Sequence, residues 1–221
     1  MATLGTLVRS LSPAGVIAAI GRNWRLLVGA IVLVAVGGGV WAGYDWYQAH
    51  REAEARAAMV QAYTEIRKVE SGSKDRDEAV RKMLERLSVE QKGTKVGGEA
   101  LVRLGNRLYE AGKFDEARDT FAKYLQEYSG GPLHAAAAIG KAYAEESKGD
   151  LPAAEKTLQA AADTYKADPM LGEVQMNLAR IFEQAKKSDE ALKLYGQVAE
   201  KYPQSQWAQQ AMERMGRLKS K

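Results

Sequence analysis

Residues 99–129 read EALVRLGNRLYEAGKFDEARDTFAKYLQEYS, and this stretch decides the fold. Its apolar and small positions, Leu104, Gly105, Leu108, Phe114, Ala117 and Phe121, keep helical spacing on either side of Gly112. The pattern predicts two antiparallel helices. Gly112 supplies the left-handed turn that ends the first helix. Asp115-Glu116 then places negative charge at the start of the second, which suits its dipole. Gly105 and Ala117 are small where the paired helices pass closely.

The same arrangement returns downstream as Leu178, Ala179, Phe182, Asp189-Glu190-Ala191, Tyr195 and Pro203. A middle copy carries Gly140, Tyr143, Gly149-Asp150, Ala154, Leu158 and Tyr165, and its first helix is expected to be longer by about two residues. Ala117, Ala154 and Ala191 recur every 37 residues, as do Tyr128, Tyr165 and Tyr202. A composition rich in Ala, Glu, Lys, Leu and Gln and poor in Pro favours helix throughout. The fold class is therefore read as all-α.

Working outward toward the N-terminus, Gly97-Gly98 and Gly93 read as a joint, and Asp77-Glu78-Ala79 opens a helix to about Glu90. Ser71-Gly72-Ser73 breaks the chain before it. Tyr47 to Glu70 lacks Gly and Pro and reads as a helical stalk. Leu26 to Tyr44, LLVGAIVLVAVGGGVWAGY, is nineteen residues without a charge, enough to cross a bilayer as a helix. Its exit, Trp41-Ala42-Gly43-Tyr44-Asp45-Trp46, is too bulky for a signal-peptide cleavage site. Aromatic residues stand at both boundaries, Trp24 at one and Trp41, Tyr44, Trp46 and Tyr47 at the other. Toward the C-terminus, Trp207, Ala211, Met215 and Leu218 share one face of a capping helix.

Charge gives an orientation. The chain has 32 basic and 28 acidic residues. Arg9, Arg22 and Arg25 precede the apolar run and no acid does, which leaves 29 basic against 28 acidic residues after it. Near-span Lys and Arg hold the more basic flank in the cytoplasm, so the N-terminus is expected inside and the repeats outside, against Arg51 and Arg56 beyond the span. The remainder is close to neutral and lacks the basic face of a nucleic-acid binder. Ala35, Gly39 and Gly43 form a small-residue face that suits membrane helix packing, although Gly is also common in spanning helices generally. Residues 1–25 form a leader with Leu4, Leu7, Val8, Leu11, Val16, Ile17 and Ile20, either interfacial or without fixed order.

Glu99–Ser205 resembles three tetratricopeptide repeats, with Met59–Gly93 as a degenerate copy and residues 206–221 as the cap. The resemblance implies an α-solenoid whose first helices line a concave face. By that register Val102, Asn106, Tyr109 and Glu110 of the first copy, Lys141 and Ala144 of the middle one, and Met176, Arg180, Glu183 and Gln184 of the third point inward and would hold an extended polypeptide. The carboxylate clamp of chaperone-binding members needs Lys where this chain has Val102, and only Asn106 matches. The layout of leader, span, exit WAGYDWYQAHREAEARAAMVQAY and repeats is similar to the YfgM family. That likeness implies a bacterial inner-membrane protein with periplasmic repeats, associated with the SecYEG translocon and periplasmic chaperones. Tyr124–Ser129 and Lys201–Ser205 also resemble repeats of YbgF/CpoB and BamD-type envelope proteins.

Catalytic groupings are missing from the sequence. His50 and His134 are far apart and read as solvated residues, and there is no cysteine. No P-loop, H-E-x-x-H or G-x-S-x-G occurs. The expectation is a non-enzyme without cofactor or metal: an adaptor or accessory subunit at a translocation or envelope folding complex. The alternative is a structural scaffold in envelope assembly or division that holds no client.

Overall fold

The computed structural model describes residues 13–68, 74–164, 166 and 169–220. The leader before residue 13, the Ser71-Gly72-Ser73 break and Tyr165 lie outside the described residues. Every regular element among the described residues is an α-helix. The chain divides into two compact units, Met1–Ala53 and Glu54–Lys221.

Helix α1, Pro13–Arg67, begins in the first unit. Its apolar run is bare: Ile31, Val34, Val40 and Trp41 are each 67–75% exposed. Each such side chain forgoes roughly 1.5–3 kcal/mol of burial in water. By length and composition this helix can cross a membrane. At the polar end of the run, Gln48 donates to the Tyr44 hydroxyl at 2.9 Å, and His50 stacks on Trp46 with ring centroids 5.4 Å apart. Nothing lies within 4 Å of a Cβ built at Gly39 or Gly43, so that face is open.

In the second unit, the end of α1 is not a free stalk. Ala55, Ala62 and Ile66 are buried, the last two in one core with Met83, Leu84 and Leu87 of α2, Lys74–Glu90. Helix α3 spans Lys95–Glu110 and α4 Phe114–Glu127. The expected joint at Gly97-Gly98 is instead the first turn of α3, capped by buried Thr94, whose hydroxyl accepts from Gly97 N at 3.1 Å. The glycines serve packing: a Cβ at Gly98 would stand 3.1 Å from the rings of Tyr124 and Tyr128, which stack at 5.1 Å. Tyr128 Oη in turn accepts from Gly93 N at 2.9 Å, tying the α2–α3 turn to α4.

The next pair is α5, His134–Ser147, with α6, Leu151–Thr164. It is followed by α7, Leu171–Gln184, with α8, Ser188–Lys201. Each pair turns through one left-handed residue: Gly112 at φ 74°, Gly149 at φ 81° and Lys186 at φ 60°. Each closes with the same two bonds, Lys113 N to Leu108 O and Gly112 N to Tyr109 O in the first. The others are Asp150 N to Glu145 O with Gly149 N to Glu146 O, and Lys187 N to Phe182 O with Lys186 N to Glu183 O. These turns are 37 residues apart, so the middle first helix is not longer: α5 has 14 residues, as α7 does. The small position matching Gly105 and Ala179 is therefore Ala142. Gly140 has another task, because a Cβ there would lie 2.5 Å from the Phe121 ring, which Gly105 also adjoins. Helix α9, Gln206–Lys219, starts at Ser205, whose hydroxyl accepts from Ala208 N at 3.1 Å. It closes the stack by laying Trp207 over Gly172, with Ala211, Met215 and Leu218 in the same core.

Candidate functional site

The first helices of successive pairs touch in sequence, α3 with α5, α5 with α7 and α7 with α9, giving a continuous inner row. Side chains link that row rung by rung. Tyr109 of α3 shares a hydrogen bond with Ser147 of α5 at 3.1 Å, and its ring lies 6.4 Å from that of Tyr143. Tyr143 donates to Asn177 Oδ1 of α7 at 2.7 Å. Arg180 stands over the Tyr143 ring at 5.2 Å and grips Glu146 with both terminal nitrogens, one at 2.7 Å. Gln184 donates to the same carboxylate at 2.7 Å. At the C-terminal end Glu183 accepts from Tyr195 at 3.2 Å and from Arg214 of α9 at 3.0 Å.

The electrostatics follow from these contacts. The hydrogen bonds from Arg180 hold the Glu146 carboxyl below its ordinary range, and Glu146 in turn raises Arg180. Burial pushes the Tyr143 hydroxyl up, and burial pushes Tyr195 up to about 12.

The expected binding residues therefore fall into separate groups. Asn106 and Glu110 are exposed on α3, and Tyr109 is half-buried beside them. Val102, Met176 and Ala144 are buried in the packed cores, at 7%, 8% and 0% exposure, and offer little surface to a ligand. Lys141 turns toward α6: its ammonium donates to nearly buried Glu145 at 2.6 Å and to Thr157 at 2.7 Å. Its place in the inner register belongs to Tyr143, with Glu146 and Ser147, as the 37-residue spacing of Gly112 and Gly149 indicates. Arg180 and Glu183 stand on the inner row, but their polar atoms are engaged by the molecule itself.

At the N-terminal end of this unit the row opens into a groove of about 590 Å³ between α1, α2 and α3. Asn106 and Glu110 line it, with Tyr63, Ile66, Val80 and Leu84 and with Arg67, Arg76, Arg103 and Arg107. The four arginines were not among the expected site residues. Arg103 and Arg107, four apart on one helical face, carry a readable signal. Arg67 and Arg76 are brought to them by the packing of α1 on α2. Among the described residues no three His, Cys, Asp or Glu are grouped to hold a metal ion.

Comparison with known proteins bears on the fold. Two tetratricopeptide-repeat family models match, one over residues 102–169 and the other over 173–205. A tetratricopeptide repeat protein from Parabacteroides merdae is similar in structure, with TM-score 0.55 at 14% identity. The match covers 75% of this chain and 60% of that one, so this chain spans only part of that protein's length. A putative kinesin light chain from Podosopora anserina with nearly identical TPR-like repeats aligns with TM-score 0.48 at 16% identity, over 72% of this chain and 92% of that one. A MamA RS-1 ArsTM double mutant aligns with TM-score 0.49 at 17% identity, over 75% and 94%. No curated protein matches the sequence. The 37-residue helix pairs, their shared turn and these family matches agree: the chain carries tetratricopeptide repeats stacked in an all-α solenoid.

Proposed function

We propose that this chain is a membrane-anchored protein–protein interaction module. In this reading residues 26–44 span a bacterial inner membrane, the N-terminus is cytoplasmic and the repeats stand in the periplasm. The module works by binding polypeptide along the inner row, as an accessory subunit or adaptor at a translocation or folding complex, with SecYEG and periplasmic chaperones as candidate partners. The observation that carries the reading is a bare apolar helix joined to a repeat stack whose inner row ends in an open groove. Anchoring raises the local concentration of a weak binder near its partner, so modest groove contacts suffice.

The test is photo-crosslinking in native membranes, with a photoreactive side chain at Asn106 or Tyr109. Heterogeneous unfolded polypeptides in the crosslinks support the adaptor reading. One or two stoichiometric folded proteins would replace it with the scaffold reading, and no crosslinks at all would remove the inner row from consideration.

A further inference from the structure

We infer that the groove between α1, α2 and α3 is a site for an acidic polypeptide segment with an apolar side chain among its carboxylates. This rests on the polypeptide-binding reading above and names the chemistry of the ligand. The groove has a floor and a wall of different character. Val80 and Tyr63 are half-buried and supply the open apolar surface of the floor, over buried Ile66 and Leu84. Arg67, Arg76, Arg103 and Arg107 line the groove with one glutamate, Glu110, and Arg103 also pairs with Glu99.

Arginine stays charged at any working pH and grips carboxylates in pairs of parallel hydrogen bonds. Arg103 is already oriented, donating to Tyr63 Oη and to Glu99, each at 3.0 Å. The Arg107–Glu110 pair is long, at 3.4 Å, and both side chains are more than half exposed. Such a pair contributes little and yields to a competing carboxylate. The excess of positive charge is local, since residues beyond the apolar run are nearly balanced in sign. A local cluster over an apolar floor suits a few acidic residues around one apolar anchor. A phosphate backbone would want an extended basic face instead.

The experiment uses the full chain in phosphatidylcholine nanodiscs and a fluorescent peptide of alternating Glu and Leu, read by anisotropy. A Gln-for-Glu version of the peptide is the control ligand. Expected is saturable binding that weakens with salt, is at least about tenfold weaker for the Gln peptide, and drops by at least about tenfold in Arg67→Gln with Arg107→Gln. Arg118→Gln, on α4 and outside the groove, should bind as the parent does. Both groove arginines are exposed, so an unchanged melting curve for the double variant is also expected. Equal binding by the Gln peptide, or by the double variant, overturns the inference. So does a preference of the same arginines for phosphatidylglycerol vesicles over the peptide. If the peptide fails while native-membrane crosslinks from Tyr109 persist, the acidic-ligand inference falls and the interaction reading stands.

Discussion

Single residues set the turns and the close approaches of this fold. Gly112 and Gly149 reach the left-handed region without a Cβ, but Lys186 must hold φ 60° with one. Lys186→Gly should therefore stabilise the domain by about 0.5–1 kcal/mol, read as a higher midpoint in urea unfolding. A loss of stability there would mean that the lysine stem contributes packing that outweighs the strain. Gly140→Ala should act in the opposite sense. Its methyl would enter the Phe121 ring, which is itself buried and has nowhere to retreat, so a destabilisation of roughly 1–3 kcal/mol is expected in the same measurement. These two residues also mark what the sequence discloses. Gly112 announces its turn because the need is local. Gly140 looks like the middle copy's crossing residue, yet its neighbour is a ring from the preceding pair. Periodicity within one unit carries no trace of that contact.

At the scale of elements, the all-α repeat architecture was legible, because each amphipathic stripe is written along one segment. The partners of polar side chains were not. Lys141 reads as a groove cation, but α6 supplies Thr157 and the two enclose Glu145, which is 6% exposed. Lys141→Met should leave that carboxylate buried without its countercharge and destabilise the pair by about 2–4 kcal/mol in chemical denaturation. Its effect on ligand affinity should be small at temperatures where the variant is folded.

The rung between α5 and α7 has a pH signature. Arg180 lowers the folded-state pKa of Glu146 below its unfolded value, so the stability gained is present above about pH 4.5 and lost as pH falls through the depressed value. Wild type should melt above Glu146→Gln at neutral pH, and the gap should close on acidification toward pH 3 in thermal scans. A gap that stays constant across that range would show that the pair adds nothing specific to ionisation.

At the scale of the molecule, two features written far apart in the chain must be compatible. One is an apolar helix that finds no cover in the described structure, and the other is a repeat stack with its own cores and its own cap. In the proposed membrane-anchored reading, a bilayer would cover the exposed apolar surface of the first and thereby fix the side on which the second works. In that reading the residues that would decide the side are few: Arg9, Arg22 and Arg25 before the apolar run, with no acid among them, against Arg51 and Arg56 after it. The absence of cysteine makes the orientation directly readable, since single replacements at Ser10 and Ser220 introduce the only thiols. Ser220 follows α9 and is exposed, so a probe reaches it without unfolding the cap. A membrane-impermeant maleimide added to intact spheroplasts should label Ser220→Cys and spare Ser10→Cys, and both should react after the membrane is opened with detergent. The reverse pattern would put the repeats in the cytoplasm. Every periplasmic partner would then be excluded, and the arginine-walled groove would face a different set of acidic chains.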